Sequence, residues 1–207
     1  MDYTYESAAV KKGYEHICGV DEAGRGPLAG PVYAAAVILP AGLEIDGLND
    51  SKKLSEKKRE ELFDIITEKS LAYSIASVSA REIDEMNILQ ATYLAMKKAV
   101  EGLTVKADFA LIDGNRLPPL DIDALTIVKG DSKSPSIAAA SILAKVSRDR
   151  YMYELDEEMP QYCFSKHKGY GTKLHYEMIA EHGISDAHRL TFLKNLKEHL
   201  GNGYDKE

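Results

Sequence analysis

The apolar run Ile17-Cys18-Gly19-Val20 goes straight into Asp21-Glu22 and then into Gly24-Arg25-Gly26-Pro27. Such a run, bounded by turn-formers, predicts a buried β-strand, and acids at its end put charge where open α/β sheets form their ligand sites. The arrangement recurs twice. Phe109-Ala110-Leu111-Ile112 ends in Asp113-Gly114, and Thr126-Ile127-Val128 is followed by Lys129-Gly130-Asp131. Aspartate beside glycine is also ordinary turn chemistry. Repetition after separate apolar strands nonetheless favours an α/β sheet with carboxylates gathered at one rim.

Further strands are predicted at residues 32–39, stopped by Pro40, and at residues 71–78. Ser55 caps a helix in which Leu62, Ile65 and Ile66 keep helical spacing, and residues 80–101 carry a continuous helical pattern. Ser134-Pro135 opens a long alanine-rich helix to about residue 158. Two helices are expected to finish the chain, at residues 172–182 before Gly183 and 186–200 before Gly201. The expectation is a single α/β domain over residues 1–207, a mixed β-sheet flanked by helices. Its core covers about residues 17–160, with a helical C-terminal region at about 161–200.

With 33 acidic and 26 basic residues the formal charge is −7, which argues against a simple basic nucleic-acid coat protein. The longest apolar stretch, near residues 32–39, is far shorter than the ~20 residues a bilayer needs. Cys18 and Cys163 have no C-x-x-C partner and are expected to be small core residues in a reducing compartment. A cytoplasmic protein without a membrane partner, and a monomer, is the expectation.

Asp21, Glu22, Asp113 and Asp131 would repel one another severely if they converged without protons or cations. Oxygen donors with no histidine or cysteine close in sequence favour Mg²⁺ or Mn²⁺ over zinc, and a pair of such ions suits phosphodiester hydrolysis. Neighbours on a regular strand point to opposite faces, so Asp21 and Glu22 can share a site only if the strand ends or bulges there.

Gly24-Arg25-Gly26 does not continue as a dinucleotide fingerprint, because the next glycine is Gly30 and Pro27 removes a donor. Flexible glycines around an arginine suit close approach to a phosphodiester strand instead. Basic residues cluster at Lys52, Lys53, Lys57, Lys58 and Arg59, and again at Lys166, Lys168 and Lys173 around Tyr170. Tyr170, between two glycines, can present its ring to a sugar or base. The six histidines fit no metal-binding spacing and are expected in the core or at the surface; His188-Arg189 could add to a phosphate-binding face.

Together these segments resemble the bacterial ribonuclease HII family. The likeness is carried by residues 19–32, Asn49-Asp50-Ser51-Lys52-Lys53-Leu54, Ile112-Asp113-Gly114, Val128-Lys129-Gly130-Asp131-Ser132, residues 136–146 and His167-Lys168-Gly169-Tyr170-Gly171-Thr172. It covers roughly residues 17–193. The resemblance implies a ribonuclease H-like fold and endonucleolytic cleavage of RNA in RNA–DNA hybrids. Cutting on the 5′ side of single ribonucleotides embedded in duplex DNA is also implied.

The same resemblance implies a two-metal site of Asp21, Glu22, Asp113 and Asp131, leaving 3′-hydroxyl and 5′-phosphate ends. Gly24, Arg25 and Gly26 would grip the ribonucleotide at its 2′-hydroxyl, and Tyr170 would pack on the neighbouring deoxyribose. Lys52 and Arg189 are further expected substrate contacts from their basic character, the segment 183–189 departing from the commonest family wording. The related ribonuclease HIII group usually carries an extra N-terminal domain and lacks the Gly-Arg-Gly wording. Two other classes stay open on the residues alone, a nuclease-like fold that binds without cutting and a metal nuclease acting on ribose-free DNA. Setting aside the four acids changes the charge from −7 to about −3, and two divalent ions bring it to about +1. The acidic balance is then partly the site itself.

Overall fold

The computed structural model describes residues 1–196. Five strands form a mixed sheet: β1 (Ile17–Ala23), β2 (Val32–Ile38), β3 (Ala72–Val78), β4 (Phe109–Asp113) and β5 (Asp123–Ile127). Their order is β3-β2-β1-β4-β5, antiparallel from β3 through β1 and parallel from β1 through β5. Among the described residues seven helices accompany them: α1 (Thr4–Val10), α2 (Glu56–Lys69), α3 (Ala80–Met86), α4 (Ile88–Glu101), α5 (Pro135–Glu158), α6 (Phe164–His167) and α7 (Lys173–His182). The α/β class and the mixed sheet agree with the sequence expectation. No helix among the described residues is long and apolar enough to cross a membrane.

Strand alternation sends Cys18 and Val20 to one face, where Ile83, Ala91, Ala95 and Met96 of α3 and α4 cover them. On the other face Ala35 and Val37 meet Ala139, Ala140 and Leu143 of α5, with Leu62 and Ile66 of α2 outside. Small side chains let α5 lie almost on the sheet. At Gly19 a Cβ would stand 2.1 Å from the carbonyl carbon of Ser136, so only glycine fits. Burying each Leu or Ile in these layers contributes about 1.5–3 kcal/mol.

Two helical expectations need correction. Residues 80–101 form two helices, because Asn87 adopts φ +72° and its side-chain oxygen accepts from the N–H groups of Leu89 and Gln90. At ψ +160° this lies outside the left-handed helical well and is strained for a side-chain-bearing residue, and the residue caps the second helix while ending the first. The expected helix at 186–200 is absent over residues 186–195, which hold a bridge from His188 to Ala29 and a 3₁₀ turn at Leu190–Phe192. Asp84 takes the N–H groups of Leu190 and Thr191, and Leu28 takes that of Arg189, so the backbone is committed to tertiary partners. From residue 197 on, Gly201 included, that segment lies outside the described residues. Helix α1 was not anticipated. Its buried Glu6 accepts from Ser134 Oγ at 2.6 Å and Ser136 N–H at 3.2 Å, tethering it to the start of α5.

Candidate active site

The carboxylates sit where β1 and β4 part. The last pair between them is Val20 with Ile112, after which β4 stops at Asp113 while β1 runs on beside β2 through Asp21, Glu22 and Ala23. Asp21 and Glu22 therefore reach one rim without a bulge. Asp21 turns toward α5, and Glu22 lies on the divide between a cleft on that side and another beside α4. Asp113 Oδ1 accepts from Gly130 N–H at 2.6 Å, and the 3₁₀ turn Gly130–Ser132 brings Asp131 alongside.

Burial, then the charges of Glu22 and Asp113, pushes the Asp21 carboxyl well above the ordinary range, against hydrogen bonds from Ser141 and the Glu22 N–H. Glu22 is raised by burial and Asp113, with Arg25 Nη1 at 3.2 Å working against it. Asp131 is raised by burial, Asp113 and Asp50, while Lys52 Nζ stands 3.9 Å away. Arg25, Lys52 and the Gly130 N–H thus each engage a different one of three acids, Glu22, Asp131 and Asp113. Among the described residues no three His, Cys, Asp or Glu side chains form a close-set metal cluster. The donor chemistry still fits hard divalent cations, since every group is a carboxylate and their mutual repulsion is only partly offset.

Beyond β1 the loop at residues 24–31 is held from behind by two buried arginines. Arg189 donates to the carbonyls of Gly24 at 2.7 Å, Gly30 at 2.8 Å and Arg25 at 3.0 Å. Arg148 donates to Lys168 O at 2.9 Å, Ala29 O at 3.3 Å and Pro31 O at 3.4 Å. Gly24 has φ +94°, and a Cβ there would lie 2.1 Å from Arg148 Nε. In a trans peptide the N–H opposes the carbonyl. Pulling the Gly24 and Arg25 carbonyls inward therefore turns the N–H groups of Arg25 and Gly26 away from Arg189. Those two N–H groups have no hydrogen-bond partner among the described residues, and both residues are exposed. Tyr170 faces Gly26 across the same cleft, of about 230 Å³, with Asp21, Lys52 and Lys145.

The sequence model of the ribonuclease HII family matches residues 18–195. Ribonuclease HII of Caldicellulosiruptor bescii is 54% identical over 194 residues, which is 94% of each chain. The chain belongs to the ribonuclease HII family. Among solved structures, ribonuclease H2 from Pyrococcus horikoshii OT3 is similar at a TM-score of 0.73 and 26% identity, covering 90% of this chain and 99% of that one. Bst-RNase HIII in complex with Mn²⁺ shares the fold at a TM-score of 0.70 and 19% identity, over 93% and 71% of the two chains. The protein is accordingly a ribonuclease H, an endonuclease on a ribonuclease H fold.

Within this ribonuclease HII framework Asp21, Glu22, Asp113, Asp131, Gly24, Arg25, Gly26, Lys52 and Tyr170 all border the carboxylate rim. Arg189 does not. It was expected on a phosphate-binding face but is fully buried, and its donors are spent on loop carbonyls. Burial and the neighbouring Arg148 pull its pKa down to about 9, which leaves it charged at neutral pH.

The two basic clusters also disperse. Lys58 pairs with Glu61, and Arg59 turns inward to the carbonyls of Ser51 and Leu54. Lys168 lies over the Tyr153 ring, and Lys173 pairs with Glu177. His167 and His175 form a buried aromatic cluster with Phe164, as the core expectation held, and His188, expected with Arg189 on a phosphate-binding face, is buried in the same cluster instead. Cys18 is in the core, whereas Cys163 is half-buried in a turn at φ +55°.

Sequence reasoning passed over Ser141, Lys145 and Arg148, which line the cleft from α5. Their i, i+4, i+7 spacing on an alanine-rich helix is a polar stripe that could have found them. Ser51 Oγ lies 2.8 Å from Ser141 Oγ, joining Lys52's turn to the residue that supports Asp21. Asp149 holds Lys145 through both carboxylate oxygens, at 2.6 and 2.7 Å.

Proposed function

We propose that this ribonuclease H cuts the RNA strand of RNA–DNA hybrids and the 5′ side of single ribonucleotides embedded in duplex DNA. The metals are Mg²⁺ or Mn²⁺, two in the substrate complex, held by Asp21, Glu22, Asp113 and Asp131. The supporting observation is one cleft that joins the Asp21 carboxylate, two free backbone N–H groups at Arg25 and Gly26, and the exposed ring of Tyr170. When bound, such ions supply activation of a water and charge stabilisation at the leaving 3′ oxygen.

The protein's own groups do the rest. Ser141 and the Glu22 N–H favour the charged, oriented form of Asp21. The outward N–H groups of Arg25 and Gly26 take the ribose 2′-hydroxyl, the group that separates RNA from DNA. A deoxyribose lacks the bulk and polarity of that hydroxyl and suits the Tyr170 ring at the next position. Lys52, largely exposed beside Asp131, is placed for a phosphate.

The test is a duplex carrying one ribonucleotide, incubated with and without Mg²⁺ or Mn²⁺. Metal-dependent incision on the 5′ side is expected, and its absence would sink the proposal. Full activity in Asp21→Asn or Asp113→Asn would instead sink the residue assignment.

A further inference from the structure

A second cleft, of about 320 Å³, lies between Leu89, Tyr93 and Met96 of α4 and the turn Asp113–Arg116 after β4. Glu22 and Arg25 line both this cleft and the one containing Tyr170. The carboxylate rim is the divide between them.

Three polar side chains in the second cleft are uncommitted. Asn115 and Arg116 are exposed, and neither they nor the Tyr93 hydroxyl has a hydrogen-bond or ion-pair partner among the described residues. Every other arginine is engaged: Arg25 with Glu22, Arg59 with Leu54 O, Arg81 with Glu85, Arg150 with Glu60, and Arg148 and Arg189 with loop carbonyls. Arg116 does not fold back on Asp113, because Gly114 at φ +110° turns the chain away. A free guanidinium and an amide on one wall, with a phenol ring on the other, suit a phosphate, a base edge and a sugar or base face.

We infer that this cleft binds the cleaved strand on the 5′ side of the cut, with Arg116 on a backbone phosphate and Tyr93 against a sugar or base. The inference rests on the proposal that the ribonucleotide lies against Gly24, Arg25 and Gly26 and its 3′ neighbour against Tyr170. With those two in the first cleft and the scissile phosphate at the rim, the 5′ nucleotides must leave across the divide. The second cleft is what lies there.

The experiment uses duplexes with one ribonucleotide, a constant 3′ side, and one, two, three or six nucleotides of the cleaved strand on the 5′ side. For the unaltered enzyme kcat/KM should rise about tenfold as the second and third nucleotides are added, and Arg116→Ala should lose that rise. The shortest duplex should be cut by both within about twofold, and Arg116→Lys should recover part of the rise through its charge. Equal loss at every length, or loss at none, would overturn the inference.

Binding of the same series, followed by fluorescence anisotropy with Ca²⁺ replacing Mg²⁺, reads the subsite without turnover. Length-dependent affinity that Arg116→Ala abolishes supports it even if no strand is cut, an outcome that would reject only the cleavage proposal. Affinity that ignores 5′ length rejects the subsite itself.

Discussion

The buried guanidinium of Arg189 donates to the carbonyl of Gly24 at 2.7 Å, from a position 165 residues further along the chain. This contact, with those to Arg25 and Gly30, fixes the direction of the peptide groups beside the carboxylates. Replacing Arg189 with Met should leave three carbonyls unsatisfied, costing about 1–3 kcal/mol of stability and lowering kcat/KM on an embedded ribonucleotide about 100-fold. Arg189→Lys should rescue little, since one ammonium cannot reproduce the planar fork. Urea denaturation and steady-state kinetics on the same preparations check both effects. Unchanged kinetics in a folded Arg189→Met protein would reject the positioning role.

Tyr170 is 44% exposed, and its hydroxyl has no hydrogen-bond partner among the described residues. Its proposed work belongs to the ring face. Tyr170→Phe should therefore keep near-normal activity, while Tyr170→Ala should raise KM about tenfold or more on a substrate with deoxyribose 3′ to the ribonucleotide. Equal losses in the two variants would assign the role to the hydroxyl instead.

Asp21 is destabilising as a charged group in the metal-free protein, because burial, Glu22 and Asp113 all disfavour its ionised form. Its folded pKa is raised, so its contribution to stability is fully present at low pH and is lost as pH rises through the folded value. Asp21→Asn should melt at a higher temperature than the unaltered protein at pH 7 in EDTA, with a smaller gap at acid pH. Activity should fall about a thousandfold or more. Calorimetry in EDTA at the two pH values is the check.

His175 and His188 have Nε2 atoms 3.1 Å apart, and burial pushes their pKa values down to about 3 and about 4. Unfolded histidine titrates near ~6.5, so between that value and about 4 the unfolded chain binds more protons. Stability is intact above pH 6.5 and falls on acidification, by about 1 kcal/mol per pH unit for each histidine. His188→Asn should flatten this slope in urea denaturation between pH 6.5 and 4.5. An unchanged slope would place the acid sensitivity elsewhere.

Gly19 lies under the first turn of α5, where an added Cβ would meet the Ser136 and Ile137 backbone at 2.1 and 2.3 Å. Gly19→Ala should force the helix off the sheet at a cost of about 3 kcal/mol or more. Melting temperatures with and without metal measure this, and a melting temperature unchanged by Gly19→Ala would contradict the packing argument.

The strands, their acidic ends and the Ser134-Pro135 helix start were legible because each rests on neighbours in sequence: apolar runs, turn residues and caps. The carboxylate candidates and the Gly24-Arg25-Gly26 segment followed from the same local chemistry. Local pattern failed where a side chain answered to a distant partner. Asn87 sits in a helical pattern yet takes a positive φ that divides two packed helices. Asp21 and Glu22 share a rim because β4 ends while β1 continues, a matter of strand length against strand length.

Arg189 looked like a surface cation, since residue type and local charge cannot reveal that three carbonyls from the start of the chain need donors. Buried polar groups must be paired, and which donor serves them is decided only when the chain closes on itself. Sequence alone determined the sheet, its acids and the family; the tertiary structure decided which cations face the cleft and which are spent holding its walls.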